Sequence, residues 1–196
     1  MSSEIKLHIF SDQLNEKYVL LVRKDKKTWF LATSNKSFTE INIGQWLTRT
    51  KIKVDECSLS PDGKLFAYFA FKFDPYDPQQ GSQYETYTAV SIVPYFTAVC
   101  FSHSDGTWTG GGGFITNNTY KVFGGKRYLE ENCNRRPDVC QMVTGNMKEF
   151  GSGLVYSDCK FFVEKTPNRF RNITEDTIND LKEALADEKF RLVKGS

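Results

Sequence analysis

The chain has 196 residues, of which 26 are basic and 24 acidic, giving a net charge of +2, with 39% hydrophobic and 14% aromatic content. That length and composition suit a single domain, residues 1–196, with a sizeable core, and exclude both a disordered chain and a disulfide-stapled miniprotein. The near balance of charge leaves no basic footprint of the kind nucleic-acid binders carry, so no nucleic-acid partner is expected.

The amino-terminal stretch MSSEIKLHIF lacks the long apolar core of a signal peptide. No apolar run approaches the ~20 residues needed to cross a bilayer, so no membrane association is expected. Five cysteines, at 57, 100, 133, 140 and 159, are odd in number and show no paired short spacing. Together these features point to a reduced, cytoplasmic protein with buried thiols. In that setting the sequons at Asn35, Asn117 and Asn172 are incidental, and the cluster Lys160, Lys165, Arg169, Arg171 is a solvated strip.

In chain order, residues 5–10 alternate polar and apolar as a short strand. Tyr18 to Arg23 and Thr28 to Thr33 form a hairpin over Asp25-Lys26-Lys27. Residues 35–42 are polar and loop-like, and Ile43 to Leu47 leads towards the next strand. The clearest hairpin joins Ile52–Leu59 to Lys64–Phe73 through Ser60-Pro61-Asp62-Gly63. In such a turn proline presets φ, aspartate caps local amides and glycine takes the left-handed residue. Its second arm places Phe66, Tyr68, Ala70 and Lys72 on one face and Leu65, Ala67, Phe69, Phe71 and Phe73 on the other. Both faces are largely apolar, which predicts a central strand covered on both sides.

Residues 74–83 form a proline-broken loop. Tyr84–Val93, Tyr95–Ser102, Thr107–Ile115 and Thr119–Phe123 continue as short antiparallel strands. A short helix is expected to begin at Pro137, and 154–156 with 160–163 read as a last hairpin. Residues 173–192 form a C-terminal α-helix: Thr174 is its N-cap, Glu175 and Asp176 follow, and Ile178, Leu181 and Leu185 recur at helical spacing. An apolar run, a turn with aspartate and an aromatic run recur at Asp25, Asp62, Asp105 and Asp158, spaced by 37, 43 and 53 residues. A period near ~40 suggests a repeated meander of the propeller-blade type. The expected fold is thus mainly β, an antiparallel and propeller-like meander, with a two-sheet β-sandwich as the alternative.

Ser60-Pro61-Asp62-Gly63-Lys64 followed by Leu-Phe-Ala-Tyr resembles the hairpin of TolB-type and WD-repeat propeller blades. Longer blocks are Gly44-Gln45-Trp46, Cys57 to Gly63, Tyr68-Phe69-Ala70, Thr88 to Ser91, Pro94-Tyr95-Phe96-Thr97-Ala98 and Trp108 to Gly113. In that order, from about Lys17 to Phe114, they resemble a family of bacterial proteins without an assigned activity. The resemblance implies fold and organisation rather than chemistry.

Three constellations stand out. Gly110, Gly111, Gly112 and Gly113 could cradle an anion with consecutive amides, but they lack the Lys-Ser/Thr of a phosphate loop; a bulge or close sheet contact is the plainer role. His103 and Asp105, beside Trp108, form the histidine–carboxylate pair a hydrolase or transferase would use. Cys100, His103, Cys133 and Cys140 do not have structural zinc spacing, and Asp74, Asp77 and Glu85 fit a rigid loop better than a cation site. No metal or cofactor is expected. Without a complete catalytic set, the expected function is binding of a protein partner through aromatic anchors such as Tyr76, Tyr95 and Trp108, with the glycine run beside them.

Overall fold

The computed structural model describes residues 6–11, 17–35, 37–73, 84–104, 110–123, 134–145, 160–163 and 193–194. Among these, thirteen strands form three sheets. The first contains β1 (Lys6–Ser11), β2 (Lys17–Asp25), β3 (Thr28–Asn35), β4 (Ile41–Leu47), β12 (Lys160–Val163) and β13 (Val193–Lys194). Its order is β13-β12-β1-β2-β3-β4, with every pair antiparallel. The second is a four-stranded meander of β5 (Thr50–Leu59), β6 (Leu65–Phe73), β7 (Tyr84–Ile92) and β8 (Ala98–Ser104). The third has order β11-β10-β9, from β9 (Gly112–Phe114), β10 (Thr119–Phe123) and β11 (Gln141–Gly145). The fold is therefore mainly β and built of antiparallel meanders, and no closed ring of blades forms among the described residues.

The second sheet is the middle layer because β6 is apolar at consecutive positions and needs cover on both sides. Phe66, Tyr68 and Ala70 pack with Phe10, Val19, Leu21, Trp29 and Leu31 of the first sheet. On the opposite face Leu65, Ala67, Val90 and Cys100 pack with Phe114, Tyr120, Val122 and Met142 of the third. Tyr120 sits edge-on to Phe114 at 5.0 Å, and Phe10 edge-on to Phe66 at 5.0 Å. The outer face of the first sheet carries another cluster, including Leu7, Leu20, Val22 and Phe30, rimmed by Tyr18, Phe38 and Trp46.

The β5–β6 turn follows its sequence chemistry. Gly63 has φ of 71°, and its amide donates to the Ser60 carbonyl at 2.9 Å. The Ser60 hydroxyl donates to Asp62 Oδ1 at 2.8 Å and accepts the Leu65 amide at 2.9 Å. Lys64 closes the turn with its amide at 3.3 Å and its ammonium at 3.3 Å from the same carboxylate. Burial opposes ionisation of Asp62, but the Ser60 and Lys64 hydrogen bonds outweigh it and hold the pKa below the ordinary value.

Several elements differ from expectation. Ile41–Leu47 is a full edge strand, β4, where residues 35–42 read as loop and Ile43 to Leu47 as a lead towards the next strand. β8 begins at Ala98 rather than Tyr95, because the chain turns just before it, the Tyr95 amide donating to the Ile92 carbonyl. Pro137 opens a turn, with Val139 and Cys140 amides both donating to the Arg136 carbonyl, and not a helix. After that turn β11 runs parallel to β10, the one parallel pair among the described strands. β9 is confined to Gly112–Phe114. Asp25 and Asp62 mark the second hairpin of one meander and the first of the next, so they are not equivalent points of a repeat. Asp105 and Asp158, residues 154–156 and the helix expected at 173–192 lie outside the described residues.

A carboxylate with a lowered folded pKa contributes stability above its unfolded value, about 3.9, and loses that contribution as pH falls through the lower folded value. Asp62→Asn should therefore lower the Tm at neutral pH. The gap from wild type should close as the pH is taken below about 4. Thermal unfolding by circular dichroism across pH reads this directly, and a gap independent of pH would contradict it.

Candidate functional site

Two sequence blocks separated by some fifty residues meet at one corner, where the edge strand β4 touches the β7–β8 turn. The Gln45 amide donates to the Pro94 carbonyl at 3.0 Å. The Gln45 side-chain oxygen accepts the Phe96 amide at 2.8 Å and the Thr97 hydroxyl at 3.1 Å. This approach requires glycine at 44, since a Cβ there would stand 1.9 Å from the Pro94 oxygen. From below, the Tyr68 hydroxyl donates to the Phe96 carbonyl at 2.8 Å. Burial, with Tyr87 and Cys57 nearby, pushes the Tyr68 phenol well above its ordinary pKa, so it remains a neutral donor. The Tyr95 amide donates to Ile92 at 2.8 Å and the Val93 amide to Lys64 at 2.9 Å.

This framework presents Ile92, 39% exposed, and Tyr95, 53% exposed, which are the exposed large hydrophobic side chains among the described residues. Beside them a groove of about 430 Å³ opens at the end of the seam between the first two sheets, lined by Lys17, Thr33, Asp62, Lys64, Ile92 and Pro94. The sequence names Tyr95 as an aromatic anchor, and the structure leaves its side chain exposed. Gln45 and Gly44 were not assigned a role, because nothing local marks a side chain whose partners lie fifty residues away. Ile92 ends a strand whose alternation gave no sign of its exposure.

The remaining predicted residues do not converge there. β8 separates Tyr95 from His103 by the strand from Ala98 onward, roughly 17 Å at about 3.3 Å per residue. His103 is half-buried, its ring edge-on to Phe101 at 5.3 Å. It pairs with Tyr87 and so shares the face directed at the first sheet. The glycine run lies on the opposite face. The Gly111 amide donates to the Thr88 hydroxyl at 2.8 Å, and Thr88 pairs with Ser102, the neighbour of His103. Successive strand residues point to opposite sides, so the sheet itself stands between His103 and the glycines. Asp105 and Trp108 lie outside the described residues.

The glycines have a structural cause. A Cβ on Gly110 would fall 1.8 Å from the Phe69 ring, and one on Gly111, at φ +83°, would meet Glu56. Gly112 and Gly113 enter the ladder opposite Val122 and Lys121. With the Gly111 amide given to Thr88, the segment is a close crossing over the middle sheet rather than an open anion cradle.

Cys57, Cys100 and Cys140 are buried free thiols. A side-chain hydrogen bond with Cys100 lowers the Cys140 pKa, against burial, which raises it. No group of three or more His, Cys, Asp or Glu among the described residues is placed to hold a metal ion. Comparison with known protein families, with curated proteins and with solved structures finds no match.

Because Gly110 is fixed by contact with Phe69, Gly110→Ala should destabilise the fold by about 1–3 kcal/mol, as overpacked cores do. Urea denaturation measures the loss, and the double variant Gly110→Ala/Phe69→Leu should recover part of it. Unchanged stability in the single variant would remove the packing role.

Proposed function

We propose that the protein is a non-catalytic binding module that holds another protein at the Ile92–Tyr95 corner. The observation carrying this is the placement of both exposed large apolar side chains on one turn, anchored by Gln45 and Tyr68. Tyrosine on an already ordered turn sacrifices little conformational freedom on binding, and such aromatic anchors dominate interface energetics. The groove next to the corner supplies a concave surface with both signs of charge at its rim, Lys17 and Lys64 against Asp62.

We also favour an intracellular setting, in which the buried thiols Cys57, Cys100 and Cys140 would stay reduced. For the finer architecture we favour a propeller-like succession of blades over a two-sheet sandwich. Three consecutive sheets sharing two cores support that choice.

The test is quantitative affinity capture in the native host with three baits: wild type, Ile92→Ser/Tyr95→Ala and the exposed-loop control Asn117→Ala. A partner retained by wild type and control should fall at least about tenfold with the double variant, whose Tm should match wild type. Equal recovery by all three baits would overturn the assignment.

A further inference from the structure

The core between the middle and third sheets contains two thiols. Cys100 and Cys140 are both 0% exposed and belong to one cluster, with Val90, Tyr120 and Met142 around them. Register puts Cys100 there. It stands opposite Val90 on β7, so its side chain shares the Val90 face, the one turned to the third sheet. Cys140 comes from the other layer, immediately before β11.

The turn ahead of β11 brings the two together by folding onto the edge of β8. Asn134 bridges Cys100 in the antiparallel sense, and the Arg136 amide donates to the Val99 carbonyl at 2.9 Å. The chain then doubles back. The Cys140 amide donates to the Arg136 carbonyl at 3.0 Å, and the Asn134 side-chain oxygen accepts the Met142 amide at 2.9 Å. One short turn thus ties Cys140 to the strand that carries Cys100. The two thiols are hydrogen-bonded to each other, which holds the Cys140 pKa below its ordinary value although burial pushes it up. A nucleophilic sulfur with a second thiol beside it is the arrangement from which a reversible disulfide forms.

Cys57 offers a contrast within the same molecule. It is equally buried, but it belongs to the core on the other face of the middle sheet, and its thiol donates to the Lys53 carbonyl at 3.5 Å. Access to Cys140 comes from the turn, since residues 134–138 are all exposed. A short surface turn opens at lower free energy than the sheets beneath it, and opening here uncovers Cys140 with Cys100 below.

We propose that Cys100 and Cys140 are a redox pair: a hydroperoxide oxidises Cys140, and Cys100 resolves it to a disulfide that clips the turn to β8. The Cys140 thiolate attacks a peroxide oxygen, the O–O bond breaks, and a sulfenic acid forms while the leaving hydroxide takes the former thiol proton as water. The Cys100 sulfur then attacks the sulfenyl sulfur. The S–S bond forms, the S–O bond breaks, and hydroxide leaves with the Cys100 proton as a second water. Two electrons have passed from the thiol pair to the peroxide. The cross-link closes residues 100–140 into a ring that includes the glycine crossing, β9 and β10. Closing so long a loop restricts the unfolded chain and so stabilises the fold. In a reducing compartment the pair rests as thiols and closes only under oxidant. The pair lies apart from the Ile92–Tyr95 corner and does not depend on it.

The test treats the reduced full chain with hydrogen peroxide under native conditions, then alkylates it and maps its cysteines by mass spectrometry. Cys100–Cys140 should be the first disulfide to form, Cys57 should be recovered as thiol, and dithiothreitol should restore the pair. The oxidised chain should melt about 5 °C or more above the reduced one. In Cys100→Ala the cross-link is lost, and a sulfenic acid at Cys140 becomes trappable by dimedone, which a merely packed thiol would not give. The wild-type map decides the matter even where that variant fails to fold. Oxidation of Cys100 and Cys140 no faster than that of Cys57 would overturn the proposal. So would a disulfide from either of them to Cys133 or Cys159, or a Cys100–Cys140 bond that lowers the Tm.

Discussion

Everything in the structure answers to the two apolar faces of β6. Six consecutive residues, Leu65 to Ala70, are buried, with aromatic rings on both sides of the strand. Burial of each large side chain is worth about 1.5–3 kcal/mol, which no single covering layer could collect from both faces. The first sheet takes the Phe66–Tyr68–Ala70 face and the third takes the Leu65–Ala67 face. The Gln45 corner then sits where these layers end.

How much of this was legible in the sequence depends on the range over which each signal acts. The Ser60–Gly63 turn, the alternation of β6 and the β2–β3 hairpin are local, and the residues themselves dictate them. β4 was only partly legible: residues 35–42 are polar and read as loop, and the fit of Gly44 against the Pro94 oxygen is set by a segment fifty residues away. The glycine run read most plainly as a bulge or close sheet contact, but the residue that demands glycine, Phe69, lies forty residues earlier in the chain. His103 and the glycines are neighbours in sequence yet separated by a sheet, because strand parity, invisible in a list of nearby residues, assigns them opposite faces. The contact of Arg23 with Trp29 was hidden by register, since the two meet only once β2 and β3 have paired.

Glycine serves two distinct ends here. Gly63 provides a left-handed backbone for a turn, a local requirement. Gly44 and Gly110 instead yield space to another part of the chain, a carbonyl in one case and an aromatic ring in the other. The second kind joins sheets to one another. Replacing either would leave the individual strands intact while disturbing how the layers fit.

The pairing of β1 with β12 has a temporal consequence. Phe10 stands opposite Lys160, some 150 residues later, whereas β5 to β8 each pair with the next strand along. Contacts between sequence neighbours form faster than those that must close a long loop. The middle meander can therefore assemble first and act as a template on which β1 to β4 dock. One edge of β1 stays open until synthesis has delivered β12, and an open strand edge is a site of misassociation. In the cell the interval between making β1 and making β12 is thus the vulnerable period of this chain. A truncation before Lys160 would expose that edge permanently.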